Sequence, residues 1–200
     1  MNTRTAKVLL TSHVTTSLGW FGAVAAFIAV AVACLHTTSI QTARTFYPGL
    51  EVIAWYVIVP FCLASLVTGV LQAIITPWGF FKHYWIIVKL FLTVVMTVLL
   101  MLHLSPISYL AGLANEVTVN NLNESSTLLD LIAKAGAAAV GLVAVTAISI
   151  YKPWGRVKRK AEGSADGHKN SIINCILVVV GLILLTIIMV HISGGGMGKH

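Results

Sequence analysis

Residues 84–104 read YWIIVKLFLTVVMTVLLMLHL, and Lys89 is the single Lys, Arg, Asp or Glu among them. A bilayer core of roughly 30 Å takes about 20 apolar residues in a helix. Apolar residues run through this stretch without the period-2 alternation of a barrel strand. A helix also satisfies every backbone group within one segment. The stretch is therefore expected to be a transmembrane helix. Working outward, four more stretches meet the same test: Val8–Leu35, Leu50–Ile75, Leu128–Tyr151 and Ser171–Ser193. The expectation is an all-α integral membrane protein, residues 1–200 forming a single domain of five transmembrane helices.

Composition agrees. Of 200 residues, 58% are hydrophobic and 10% charged, against about 25% charge in a soluble domain. That balance excludes disorder, a disulfide scaffold and an ordinary cytosolic enzyme. The net charge of +7 does not point to nucleic acid, because the basic residues sit in short loops and form no stripe with interleaved aromatics. Cys34, Cys62 and Cys175 lie in apolar stretches with no CxxC spacing and read as small hydrophobes.

Lysine and arginine set the orientation. With the N-terminus inside, cytoplasmic pieces carry Arg4, Lys7, Lys82, Lys152, Arg156, Lys158, Arg159, Lys160 and Lys169, whereas outer pieces carry Arg44 and Lys199. The positive-inside rule then puts the C-terminus outside after five spans. The first span starts like a signal peptide, with Arg4 and Lys7, but its apolar part is too long for an h-region and no clean cleavage box follows. It is retained as a span. Thr76–His83 is short, making the second and third helices antiparallel neighbours. Lys152–Asn170 reads as a basic cytoplasmic loop. Ser105–Thr127 reads as the long outer loop, its Ile107–Leu113 part apolar enough to lie on the membrane surface or to cap something between helices. Pro60 is the obvious interruption of the second span.

Small residues mark where helices meet: Gly19, Gly22, Ala23 and Ala26 on the first span, and Ala133, Gly136, Ala137 and Gly141 on the fourth. Such faces also suit a homodimer. The tripeptide Pro-Trp-Gly recurs, in Thr76-Pro77-Trp78-Gly79 and Lys152-Pro153-Trp154-Gly155, and so does the pattern Met-aliphatic-His-aliphatic-Ser, in Met101-Leu102-His103-Leu104-Ser105 and Met189-Val190-His191-Ile192-Ser193. Spans two-three and four-five thus read as a repeated hairpin about an axis along the membrane normal. His103 and His191 would then face each other across that axis.

Five of the seven histidines lie at span ends, His13 and His83 at the inner level and His36, His103 and His191 at the outer. His168, in the polar loop, and the terminal His200 read as inert. No acidic or His ladder crosses the midplane, and no H-E-x-x-H or His-Cys spacing appears, which argues against a proton pump or a zinc protease. Paired imidazoles in a small helical bundle suit b-type haem, with His13, His83, His103 and His191 as axial candidates. His83 and His103 are 20 residues apart, about 5.6 turns, and point to nearly opposite sides of one helix. One haem site is therefore favoured over two. The repeat favours the outer pair, His103 and His191. Depth within its span favours His13, near which Ser12, Ser17 and Gly19 can open a slot. Lys89 can snorkel to the inner surface or pair with a haem propionate or an anionic headgroup. Lys134 can pair with Asp130 at i, i+4. Trp20, Trp55 and Trp85 read as interface anchors or packing.

At Thr11–Trp20 (TSHVTTSLGW) and Thr76–Trp85 (TPWGFFKHYW) the chain resembles a group of uncharacterised bacterial multi-pass membrane proteins common in Gram-positive lineages. The patterns TxHVxxSxGW and TPWGxFKHYW, with the Trp55 region between them, cover about the first half. The resemblance implies a bacterial inner (cytoplasmic) membrane and directs tests to His13 and His83; it carries no activity. The functional expectation is a membrane b-type haem protein for electron transfer, haem handling or redox or gas sensing, with the lipid bilayer, a redox partner or a quinone as partners. The alternatives are a non-catalytic subunit, chaperone or small transporter without haem, and a Cu(I) site built from Met101/His103 and Met189/His191.

Overall fold

The computed structural model describes residues 3–75, 84–115 and 125–151, and all regular structure among them is helical. Helix α1 is Thr3–His36 and α2 is Ile40–Ile53. A π-helical turn, Ala54–Ile58, joins α2 without a break to α3, Val59–Ile75. Helix α4 is Tyr84–Gly112, closed by a 3-10 turn at Leu113–Asn115, and α5 is Ser125–Tyr151. Four helical stretches among the described residues are long and apolar enough to cross a membrane: Arg4–His36, Ile40–Ile74, Trp85–Gly112 and Ser126–Tyr151. The fifth expected span, 171–193, lies outside the described residues, as do the paired Pro-Trp-Gly segments and the His191 half of the repeat.

Two boundaries differ from the sequence expectation. The second spanning helix begins at Ile40, not Leu50, and the third runs to Gly112, not Leu104. Both run through a proline, Pro48 and Pro106. An interior proline removes one backbone hydrogen bond and crowds the preceding turn, yet packing outweighs that cost. Ala43, Tyr47 and Leu50 form one buried face of α2, and Leu104, Ile107 and Leu110 one buried face of α4. The two helices pack together, and Ala114 is buried just beyond α4. Residues 107–113 are thus helical rather than a loop, with Ile107 and Leu110 buried against the bundle and Tyr109 facing outward. The Ser39 side chain starts α2 by accepting from the Thr42 N–H at 3.4 Å.

Pro60 does not break the second span either. The Val59 N–H reaches back to the Ala54 carbonyl, five residues away, in the turn just before the proline. The wider turn accommodates a residue that has no N–H of its own. Trp55, inside this turn, donates from Nε1 to Ser108 Oγ at 3.2 Å and ties it to α4.

Helix α1 packs against α2, α3 and α5. Its inward stripe is Trp20, Ala23, Val24, Phe27, Ala31 and Cys34, all buried, at the three-to-four-residue spacing of one helix face. Trp20 is therefore a core residue, not an interface anchor. The small residues are split between two roles. A Cβ on Gly19 would sit 2.6 Å from the Phe61 ring, and one on Gly141 would sit 2.5 Å from Met96 Sδ, so both admit a neighbouring helix. Gly22 and Gly136 have nothing within 4 Å of that position, and Ala26, Ala133 and Ala137 are exposed. Large apolar side chains such as Val8, Leu18, Tyr56, Phe91, Val140 and Ile150 also face outward, as befits lipid-facing helices.

Candidate functional site

Near the end of the bundle that bears the N-terminus, α1 and α3 present matching polar faces. On α1 these are His13, Thr16 and Ser17; on α3 they are Ser65, Thr68 and Gly69. Each set follows i, i+3, i+4 spacing, so each lies on one side of its helix. The helices run antiparallel, which sets His13 beside Ser65 and Thr68 and Ser17 beside Ser65.

The hydrogen bonds follow from that register. His13 Nδ1 lies 3.1 Å from the Ser65 carbonyl oxygen and 3.1 Å from Thr68 Oγ1. A carbonyl only accepts, so Nδ1 carries the proton. Thr68 Oγ1 donates its own proton to the Ala64 carbonyl at 2.7 Å and accepts from His13. Ser17 and Ser65 share a hydrogen bond of 2.8 Å between their hydroxyls, which satisfies Ser65, buried at 4% exposure. Thr16 Oγ1 donates to the Ser12 carbonyl at 2.9 Å and stands 3.4 Å from Thr68 Oγ1.

Gly69 makes the approach of the ring possible. A Cβ there would lie 2.9 Å from His13 Cε1, closer than packing allows. Helix α4 closes the junction from the third side. Lys89 Nζ lies 3.4 Å from His13 Nε2. With the proton on Nδ1, Nε2 bears the lone pair and accepts from the ammonium. The imidazole is thus a neutral tautomer held at both nitrogens.

Beyond Lys89 the hydroxyls of α4 turn back on their own helix. Thr93 donates to the Lys89 carbonyl at 2.9 Å and Thr97 to the Thr93 carbonyl at 2.8 Å. Cys62 Sγ then lies 3.3 Å from Thr97 Oγ1, to which its thiol donates. These bonds satisfy polar groups inside the bundle; they form no continuous proton wire, because the hydroxyl protons end on carbonyls.

The remaining sequence candidates fall elsewhere. His103 Nδ1 is hydrogen-bonded to the Leu99 carbonyl of its own helix. It follows Lys89 by 14 residues on α4, about 21 Å along the axis, so His13 and His103 cannot share one ligand. Met101 is buried at 3% exposure, and residues two apart on a helix do not face each other. Met101 and His103 therefore do not converge. His36 ends α1 and is exposed. His83, His191, His168 and His200 lie outside the described residues. Among the described residues no group of three or more His, Cys, Asp or Glu could hold a bare metal ion.

Ser17 and Gly19, expected to open a slot, are instead filled by Ser65 and Phe61. A shallow groove does run along the flank of α1, lined by Lys7, Val8, Thr11, Ser12, Thr15 and Thr16. Sequence reading missed Ser65, Thr68 and Gly69, although their spacing mirrors that of His13, Thr16 and Ser17 and was visible. Compared with known families, curated proteins and solved structures, the chain matches none.

Proposed function

We propose that the protein is a membrane-embedded b-type haem protein in which His13 supplies an axial imidazole, serving electron transfer, haem handling or redox or gas sensing. The observation that carries this reading is the bond from His13 Nδ1 to the Ser65 carbonyl. An axial histidine is oriented in this way: its second nitrogen donates to a carbonyl, which fixes the tautomer and leaves the Nε2 lone pair for iron. The lone pair points into the junction of α1, α3 and α4, where it faces Lys89 Nζ. The long lysine stem lets the ammonium withdraw toward the membrane surface. Haem would supply the redox or gas-binding chemistry, while the chain holds the imidazole and keeps the site within apolar helices. The proposal rests on His13, which is bonded across to α3 at Ser65 and Thr68, whereas His103 meets the Leu99 carbonyl of its own helix and His191 lies outside the described residues. The same reading puts the chain in a bacterial cytoplasmic membrane with the His13 end inside, on the distribution of Lys and Arg.

A second reading rests on a specific observation as well. Both nitrogens of His13 already have partners within the protein. The junction can therefore be a polar clasp that holds three helices of a non-catalytic membrane subunit. One experiment separates the two. The protein is purified in mild detergent from haem-replete cells, and its spectrum is recorded oxidised and dithionite-reduced. A Soret band with sharp reduced bands, lost in His13→Ala and kept in His103→Ala, is expected. A colourless protein leaves the clasp.

A further inference from the structure

The exposed surface of α1 divides lengthwise into two strips. One holds large apolar side chains, Val14, Leu18, Phe21 and Val32, as expected of a side that meets lipid. The other holds Thr11, Thr15, Gly22, Ala26, Ala29 and Ala33, all exposed and all either hydroxyl-bearing or small. Their steps of three, four and seven residues keep them on one side of the helix. At the end nearer the N-terminus this strip opens into the groove lined by Lys7, Val8, Thr11, Ser12 and Thr15. Farther along, among the described residues nothing lies within 4 Å of where a Cβ on Gly22 would stand. Against lipid a small side chain contributes little contact; between helices it lets two backbones approach.

We propose that this face of α1 is the docking site of residues 171–193 of the same chain. These 23 residues include no Lys, Arg, Asp or Glu. As a helix they extend about 33 Å, which is also the rise from Thr11 to Ala33 on α1. The chain approaches the face from the right end. Helix α5 packs against α1 and stops at Tyr151, and alternation of the spanning helices brings that residue to the end where α1 begins. The 19 residues from 152 to 170 reach roughly 60 Å when extended, against about 10 Å between packed helices. A helix entered from there runs parallel to α1. In that direction one register matches the two stretches. Gly181 beside Gly22 puts Ser171 beside Ser12, Asn174 beside Thr15, and Leu185, Ile188 and Ile192 beside Ala26, Ala29 and Ala33. Polar groups then meet polar groups at one end, where the Asn174 amide finds hydroxyl partners. The paired glycines allow close approach, and the bulky side chains fill the space that the alanines leave.

A second copy of the chain competes for the same face, and disulfide formation in native membranes separates the two. In a background with Cys34, Cys62 and Cys175 replaced, Gly22→Cys is paired with Gly181→Cys, and Thr15→Cys with Asn174→Cys. A protease site inserted at Ser164 cuts the chain between α5 and the segment. Both pairs are expected to link within one chain, so that the cut fragments stay together at monomer mass and part on reduction. Val14→Cys with Asn174→Cys, which moves the thiol to the strip of large side chains, is expected to release the fragments. Links found only at dimer mass assign the face to a second copy and overturn the inference. So does the lack of any link, or equal linking from Val14→Cys. Stability gives a separate reading without cysteines. Ala29→Trp is expected to melt in detergent well below Leu18→Trp, because it overpacks a helix contact whereas Leu18 already stands outward. Equal melting temperatures overturn the inference as well.

Discussion

At the scale of single residues, the imidazole of His13 is positioned by what it lacks room to do. Two acceptors hold Nδ1, and the bare Cα of Gly69 lies where any side chain would strike Cε1 at 2.9 Å. Gly69→Ala is therefore expected to push the ring off Ser65 and Thr68. Overpacking of this kind costs about 1–3 kcal/mol, so thermal unfolding in detergent should shift clearly downward. Under the haem reading the Soret band should weaken in parallel. An unchanged melting temperature with intact His13 bonds would show that the ring does not rest on Gly69. Truncating the imidazole itself acts differently. His13→Ala leaves Lys89 without its acceptor, but interhelical hydrogen bonds in membranes average about 0.6 kcal/mol, so the fold should survive while any haem is lost.

At the scale of elements, two glycines that look alike in sequence should respond differently. A Cβ on Gly19 meets a rigid ring, Phe61, at three atoms within 2.9 Å, whereas one on Gly141 meets the sulfur of Met96. A methionine side chain can turn aside; a packed phenyl ring cannot without moving α3. Gly19→Ala is expected to destabilise by about 1–3 kcal/mol and Gly141→Ala by under about 1 kcal/mol. Equal losses in chemical denaturation would contradict the packing described. The tie from the π turn to α4 is open to a double-mutant cycle. Trp55→Phe and Ser108→Ala should each cost little, with a coupling of about 0.6 kcal/mol that vanishes if the bond is absent. These elements also show what the sequence made legible. Apolar runs of about 20 residues revealed the spanning helices Arg4–His36 and Ser126–Tyr151 almost to their ends. They missed residues 40–49 of α2 and 105–112 of α4, because the continuous apolar runs thin out there and the buried faces that extend the helices depend on a partner helix. The site was half legible for the same reason. His13 and Lys89 stood out as polar residues in apolar runs, but that Ser65, Thr68 and Gly69 meet His13 depends on how α1 and α3 face each other.

At the scale of the whole molecule, the order of the helices and the charges at their ends make one topological prediction. Three residues, Thr37–Ser39, join α1 to α2, so the chain must turn back at once. Successive spanning helices then alternate in direction. The end that bears His13 and Lys89 also bears Arg4 and Lys7, and the helix ends there are flanked in sequence by Lys82 and by the basic stretch from Lys152 to Lys169; the other end bears Arg44. The positive-inside rule assigns the first end to the cytoplasm. In a background with Cys34, Cys62 and Cys175 replaced, Thr38→Cys and Asn121→Cys should react with a membrane-impermeant maleimide in intact cells. Ser164→Cys should react only after lysis. The reverse pattern would place the His13–Lys89 junction at the outer surface. That result would bear on function as much as on topology, because a ligand entering from the cytoplasm and one entering from outside come from different pools. With the predicted orientation, a haem held at His13 would be loaded from inside the cell, the side on which the cationic loops are expected. Those loops would then serve both to fix the orientation and to draw an anionic ligand to the mouth of the site, an electrostatic attraction that should weaken as salt rises. Porphyrin association rates measured from low to moderate ionic strength should fall for the free acid and stay level for the dimethyl ester.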